Sequence, residues 1–495
     1  MPSSRPFPGA ARPAVLAIVA VAAALLVPTA ASAASAGSSA KTSSCERLAA
    51  ATGDRPSEQR WTCTWGPIDI GAYQVRQDVT FGLPRPPVDG SVTNMSVDVT
   101  DRDRTRIPIR RLMLHHIVFL NLGSTLGEKR DRTCDAFEMW DSKTSLPGFG
   151  ERFYAAGEER AVLDLPDGYG YPSPASDGWA MTWMVMNHRG RADRAYITYD
   201  VTIDTAPDLQ PAVPYWLDVR NCKADPVYDV PGGGKKGSVH TRRMHWTVPE
   251  SGRLIAGAGH VHGGGKELRV TQRSCGNRTL IRSRPAWGLS SNPFYKVKPI
   301  LHEPGPIAMS ALRSPTGIPV AAGERLTLSS IYDNRRLHTR VMGIMVVFLA
   351  PDPAVTQGCA ALPADTAEIQ TTRKHRKVAP RFTVPLTGLD DDGRAVTIKR
   401  PSGKTKKLRS GSTITVGDQY FRAANVKVRR GATLRWKFAS QELHNVTVAS
   451  GPRGFASDNL DGGRVYRKKL TARGTYKIFC ALHPVTMTAT VKVTK

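Results

Sequence analysis

Toward its C-terminus the sequence brings a thiol, two imidazoles and a thioether within reach of one another. Cys480, His483 and Met487 follow in the order Cys-x2-His-x3-Met, and His444 precedes them in Leu443-His444-Asn445. Soft sulfur combined with nitrogen suits an ion that alternates between two oxidation states, and one thiolate, two imidazoles and a weak axial thioether form a blue-copper electron-transfer set. Three of these residues share one short loop, so the backbone fixes their geometry. His444 must arrive from a distant strand, which ties metal binding to folding. Farther upstream lie the pair His115-His116, the single His188 after Met184-Val185-Met186-Asn187, the pattern His260-x-His262, and Met342 in Val341-Met342-Gly343. Residues i and i+2 of a strand face one side, so His260 and His262 can bind one metal. Neighbours on a regular strand point to opposite faces, so His115 and His116 need a bulge or a strand end to converge. Taken singly, His188, Met342 and Met345 also fit ordinary core packing. His240, His245, His302 and His375 lack ligand-like company and are expected to be structural or exposed. Tyr332-Asp333-Asn334 with His338 fits either a support for a metal ligand or a hydrogen-bonded turn.

The elements that must position these residues are strands. Glycine and proline are frequent, long helical periodicity is absent, and short alternating runs recur, as in Ile197-Tyr199-Val201-Ile203, Leu268-Val270 and Val426-Val428. This pattern predicts an all-β chain of sandwiches. At 495 residues the chain is too long for one core. Arg5 and Arg12, the apolar run Val15–Val27 and the small residues Ala31-Ser32-Ala33 and Ala34-Ser35-Ala36 have the order of a secretory signal, assigned to residues 1–36. The apolar run is shorter than the ~20 residues a spanning helix needs, so no transmembrane segment is expected after cleavage. Proline-rich breaks at Ala206–Pro214 and Pro351–Pro363 suggest units of 37–212 and 213–362, a basic linker with leading strands at 363–409, and a final unit of 410–495.

Seven cysteines in an exported chain imply disulfides, and the odd number leaves a thiol for another task, assigned to Cys480. The remaining six allow 15 connectivities, of which only Cys275 with Cys359 is singled out. The formal net charge of +27 is concentrated in part in Arg373–Lys377 and in the basic residues between Lys399 and Arg409. These stretches lack the aromatic interleaving of a single-strand binder, so nucleic acid is not expected. A solvated linker or a contact with an anionic cell-envelope polymer fits better.

Over about 85 residues the C-terminal segment resembles the plastocyanin, pseudoazurin and amicyanin family of cupredoxins, through Val426–Trp436, His444-Asn445 and the Cys480 loop. The His483-to-Met487 spacing falls between the family's shorter and longer loops. The resemblance implies a Greek-key sandwich, type 1 copper on His444, Cys480, His483 and Met487, and outer-sphere electron transfer with His483 as the solvent-facing port. From Asp98 to Pro351 the order His-His, His, His-x-His, Met resembles the copper type II, ascorbate-dependent monooxygenases, the family of peptidylglycine- and dopamine-hydroxylating enzymes. That resemblance implies two jelly-roll sandwiches. His115, His116 and His188 would hold an electron-supplying copper, and His260, His262 and Met342 an oxygen-binding copper, facing each other across a solvent cleft. Met342 is preferred to Met345 by its distance to Ala350-Pro351. The peptide-amidating members carry an arginine, an asparagine and a tyrosine where this chain has Ala258, Ile344 and Val346, so amidation is not expected.

The sequence therefore predicts an exported copper oxidoreductase with one type 1 copper and up to two further mononuclear type 2 coppers. It would use an external one-electron donor or ascorbate-like reductant, O2 and an organic substrate. The alternative is a non-catalytic copper-binding or electron-carrier protein of the cell envelope.

Overall fold

The alternating runs do fold as strands. The computed structural model describes residues 42–50, 55–138, 145–297, 301–382, 384 and 388–495. The predicted secretory signal lies outside the described residues. Among the described residues the only helical elements are two single 3-10 turns, Arg273–Cys275 and Pro293–Lys296.

Six large sheets build three sandwiches, as the all-β expectation required. In the first, a 7-stranded sheet centred on Glu58–Ile70, Asp193–Asp204 and Ser91–Thr100 faces a 4-stranded sheet. That second sheet has the order Val75–Phe81, Gly178–Asn187, Leu112–Gly123 and Glu151–Gly157. The next sandwich packs a 5-stranded sheet containing Gly343–Pro351 beside Gly252–Val261 against a 4-stranded one. The C-terminal sandwich again has 5- and 4-stranded sheets, with Gly474–Phe479 between Thr447–Ser450 and Thr488–Thr494.

The three cores are not sealed from one another. Phe348 and Ala256 of the second sandwich belong to the core of the first. Met113, Met184 and Met186 of the first join Leu482, Cys480 and Met487 in the C-terminal core. A fully buried methionine contributes roughly 1.5–3 kcal/mol, so this contact anchors the C-terminal sandwich. The described residues between 363 and 405 run as a strap over the other units, whereas Lys406–Lys407 of the expected linker pairs in parallel with Asn425–Arg429 inside the C-terminal 5-stranded sheet. Ala367–Ile369 adds an edge strand to Ala311–Val320, Arg376 exchanges backbone hydrogen bonds with Trp287, and Asp390 accepts from the Tyr73 hydroxyl at 2.8 Å.

Three disulfides form, Cys45–Cys63, Cys134–Cys222 and Cys275–Cys359, and Cys480 is the free, buried cysteine. The pair expected from the sequence is among them. No helix among the described residues is long and apolar enough to cross a membrane.

Candidate metal centres

The C-terminal loop closes on itself through backbone hydrogen bonds. Cys480 N donates to Met487 O at 3.0 Å, and Met487 N to His483 O at 3.1 Å. His444 is pinned from the other side by reciprocal backbone bonds with Leu460, at 2.9 and 2.7 Å. The Cys480 Sγ consequently lies 4.0 Å from His444 Nδ1 and 3.7 Å from His483 Nδ1. Those separations are long for hydrogen bonds but suit two ligands of one ion, which tetrahedral bonds of ~2.0 Å to nitrogen and ~2.3 Å to sulfur would hold roughly 3.5 Å apart. Cys480, His444 and Met487 are fully buried, while His483 is partly exposed. Asn445 joins the two halves: its backbone N–H points at Sγ at 3.4 Å, and its Oδ1 accepts from Ala481 N at 2.8 Å. Burial, with a smaller contribution from His483, lowers the His444 pKa to about 4, so its imidazole is neutral and free to ligate. Burial likewise pushes the Cys480 thiol up, against the pull of nearby backbone N–H groups. A buried thiolate here needs a cation beside it, and the donor set fits copper.

Upstream, the adjacent histidines meet through a bulge. Met184 pairs with His116 and Val185 with Leu114, leaving His115 as the surplus residue of its strand. The two imidazoles then lie 5.2 Å apart, centre to centre. His260 stands on Gly252–Val261 and His262 just beyond it, with ring centres 5.1 Å apart. His115 reaches across the boundary between the sandwiches to within 5.0 Å of the His262 ring and 4.7 Å of His302. The expected histidine sets thus abut rather than face each other across solvent. His302, set aside in the sequence, stands among them. Its Nε2 is 2.5 Å from Glu158 Oε1, which also receives His115 Nδ1 at 2.8 Å. The next residue, Glu159, takes His260 Nδ1 at 3.0 Å. Two consecutive carboxylates of the first sandwich therefore orient imidazoles on both sides of the boundary. No local sequence signal marks them, because the pairing exists only after the sandwiches dock.

Burial opposes ionisation of Glu158, but His302 and His115 outweigh it and hold its carboxyl well below the usual range. Burial pushes His116 and His262 well down, reinforced by neighbouring histidines. His188 is lowered to about 3, first by burial and then by His302. Burial disfavours charge on His260, yet Glu159 reverses the balance and raises it. His188 follows Gly178–Asn187 and is fully buried, but makes no ring contact with the other histidines among the described residues. Met342 and Met345 separate clearly. Met345 is in the second sandwich core, whereas Met342 packs with Trp216, Val227 and Ile344 and lines the cavities beside His116. The Tyr332 hydroxyl receives His262 N at 2.8 Å and donates to Met342 O at 2.7 Å, so it ties two of the expected ligand positions together. His338 binds Glu303 at 2.7 Å. Gly264, at φ +82°, leaves room for the His338 ring, which a Cβ there would meet at 2.2 Å. His240, His245 and His375 stay outside the cluster.

Several imidazole nitrogens of these histidines are unsatisfied. His116 Nδ1, both nitrogens of His188, His260 Nε2, His262 Nε2 and His302 Nδ1 are buried without a hydrogen-bond partner. Each such group costs roughly 1–3 kcal/mol unless something binds it. Buried imidazoles presenting free nitrogens, backed on His260 and His302 by a carboxylate at the opposite nitrogen, fit a metal of the copper or zinc class.

Residues 410–494 match the family model of copper binding proteins of the plastocyanin/azurin family, so the C-terminal sandwich is a cupredoxin domain. Residues 197–352 match the model described as stress up-regulated Nod 19. Over 281 residues the chain is 25% identical to a probable copper-dependent oxygenase, M1, of a Phoma species, spanning 54% of this chain and 62% of that relative. Among solved structures, a purple cupredoxin from Nitrosopumilus maritimus is 20% identical over 17% of this chain and 99% of its own, with a TM-score of 0.16. A reduced amicyanin variant is 22% identical over 17% of this chain and 80% of its own, also with a TM-score of 0.16. The chain thus carries a copper-binding cupredoxin domain, and its three disulfides fit an oxidising, extracytoplasmic setting.

Proposed function

We propose that the protein is a secreted copper-dependent monooxygenase that carries its own electron-transfer domain. The observation that carries this reading is the set of unpartnered, buried imidazole nitrogens at the boundary of the first two sandwiches, beside a docked cupredoxin. His115, His116 and His188 would hold an electron-supplying copper, and His260, His262 and Met342 an oxygen-binding one. His444, Cys480, His483 and Met487 would hold type 1 copper. Bound copper supplies one-electron exchange and the activation of O2. The overall reaction balances as R–H + O2 + 2 electrons + 2 protons giving R–OH + H2O, with the electrons from an external one-electron donor or ascorbate-like reductant.

The chain's own residues do the positioning. Glu158 and Glu159 fix ring orientation and direct free nitrogens away from themselves, and Tyr332 locks the backbones of His262 and Met342. The cupredoxin is docked as well as tethered: Thr339 donates to Val448 O at 3.1 Å, Arg340 to Ser457 O at 2.9 Å, and Ala456 N to Asp229 at 2.8 Å. Ala481 and Leu482, next to Cys480, line the same cavity as His115 and His116. This arrangement supports electron delivery without a diffusing partner, and tethering alone gives an effective concentration near millimolar.

The test is metal analysis of the mature protein with optical and spin-resonance spectra, joined to ascorbate-driven O2 uptake. Three coppers, one of them blue, with reductant-dependent O2 uptake are expected. One blue copper alone would leave only an electron carrier. The basic strap is further proposed to contact an anionic cell-envelope polymer, in which case retention at the surface should weaken with salt.

A further inference from the structure

Beside His260 and Met342 lies a cavity of about 560 Å3, within the ~300–1,000 Å3 common for small-molecule sites. One wall is a single sheet face. Gly252–Val261 and Gly343–Pro351 pair with Ala258 opposite Val346 and His260 opposite Ile344. Alternation then puts Ala256 and Ala258 beside Ile344, Val346 and Phe348, and all five line the cavity. An apolar stripe therefore leads directly to His260. It includes the three positions at which amidating enzymes carry polar anchors.

The formally charged lining residues are already paired. Arg152 binds Asp131 at 2.5 Å, Lys223 binds Asp458 at 2.6 Å, Asp225 binds Arg340 at 2.7 Å, and Asp164 binds Arg313 at 3.0 Å. Glu159 holds His260 at 3.0 Å and Asp78 meets Arg76 at 3.5 Å. The buried charges are therefore neutralised within the protein, and Asp78 and Asp164, the half-exposed ones, are acidic, so no free cation among the described lining residues is left to recognise a substrate carboxylate. The rim carries Val79, Phe81 and Val162, which remain 51%, 52% and 54% exposed. Large apolar side chains clustered in solvent beside a cavity mark a surface that another apolar body covers.

We infer that this cavity takes an uncharged, predominantly apolar small molecule and presents one of its C–H bonds toward His260 and Met342. Calling that molecule the substrate rests on the monooxygenase reading, whereas the ligand class rests on the cavity. The test uses copper-free full-length protein titrated with the neutral fluorescent dye Nile red. Saturable binding near one equivalent is expected, weakened at least tenfold by Ala258→Arg and, in case that half-buried change disturbs folding, also by the exposed change Val162→Asp. Absence of saturable binding, or unchanged binding in both variants, would overturn the inference. So would stronger competition from a glycine-extended peptide than from a neutral polycyclic alcohol. Copper content and O2 uptake are measured separately, so a protein that binds the dye but consumes no O2 would defeat the monooxygenase reading and leave the ligand class intact.

Discussion

The cupredoxin centre and the histidine cluster bring side chains of metal-ligating type together in opposite ways. In the first, three of four side chains share one loop, and Asn445 staples that loop to the segment bearing His444, which is bridged to Leu460 ahead of Thr447–Ser450. In the second, the side chains come from two sandwiches and are oriented by Glu158 and Glu159 across the boundary. The first centre is a property of one domain. The second exists only as a property of the assembly, so it is exposed to any change that shifts one sandwich against the other.

Cys480→Ser tests the independence of the two most severely. It should abolish the blue absorption completely while metal analysis still finds the upstream copper. Loss of both together would merge the two centres into one. Copper removal comes next. At free copper 100-fold above its dissociation constant, the bound ion stabilises by about 2.7 kcal/mol. Calorimetry should therefore show a large fall in the midpoint on chelation, with the first two sandwiches losing cooperativity with each other. A shift confined to the cupredoxin would contradict the assembled site.

Glu158→Ala leaves His115 and His302 without their carboxylate. Removing such a support costs roughly 10–100-fold in metal affinity, so competition with a chelator should strip the upstream copper first and leave the blue band unchanged. Arg340→Ala should have the smallest effect. It removes the bonds to Ser457 O and Asp225 and should cost about 1 kcal/mol of docking. Metal content should hold, while the rate of electron delivery from the cupredoxin falls in stopped-flow measurements. An unchanged rate would show that the docked arrangement is not the transfer geometry.

Legibility followed the same division. Cys480, His483 and Met487 stood out together because they share one loop whose spacing is visible in the sequence, and the structure leaves Cys480 as the free thiol, with His444 and His483 beside it. The need for a bulge at His115-His116 followed from strand alternation, and the bulge is present. His302 could not be found this way. It sits in a loop with no histidine nearby in sequence, and its company is created by Glu158 of another sandwich. The strap within the expected linker of 363–409 was equally opaque. Its charge suggests a solvated linker, but Asp390 and Asp392 anchor it to Tyr73, Arg189 and Arg191. Composition does not encode such partners.

The surplus residue at His115 has an evolutionary corollary. A ladder with one extra rung tolerates side-chain replacement far better than a change in length, because deleting one residue would restore regular pairing and rotate every position on one side of the defect to the opposite face. Descendants of this chain can therefore trade residues around the histidine pair, but they cannot change the count within that strand without dismantling it.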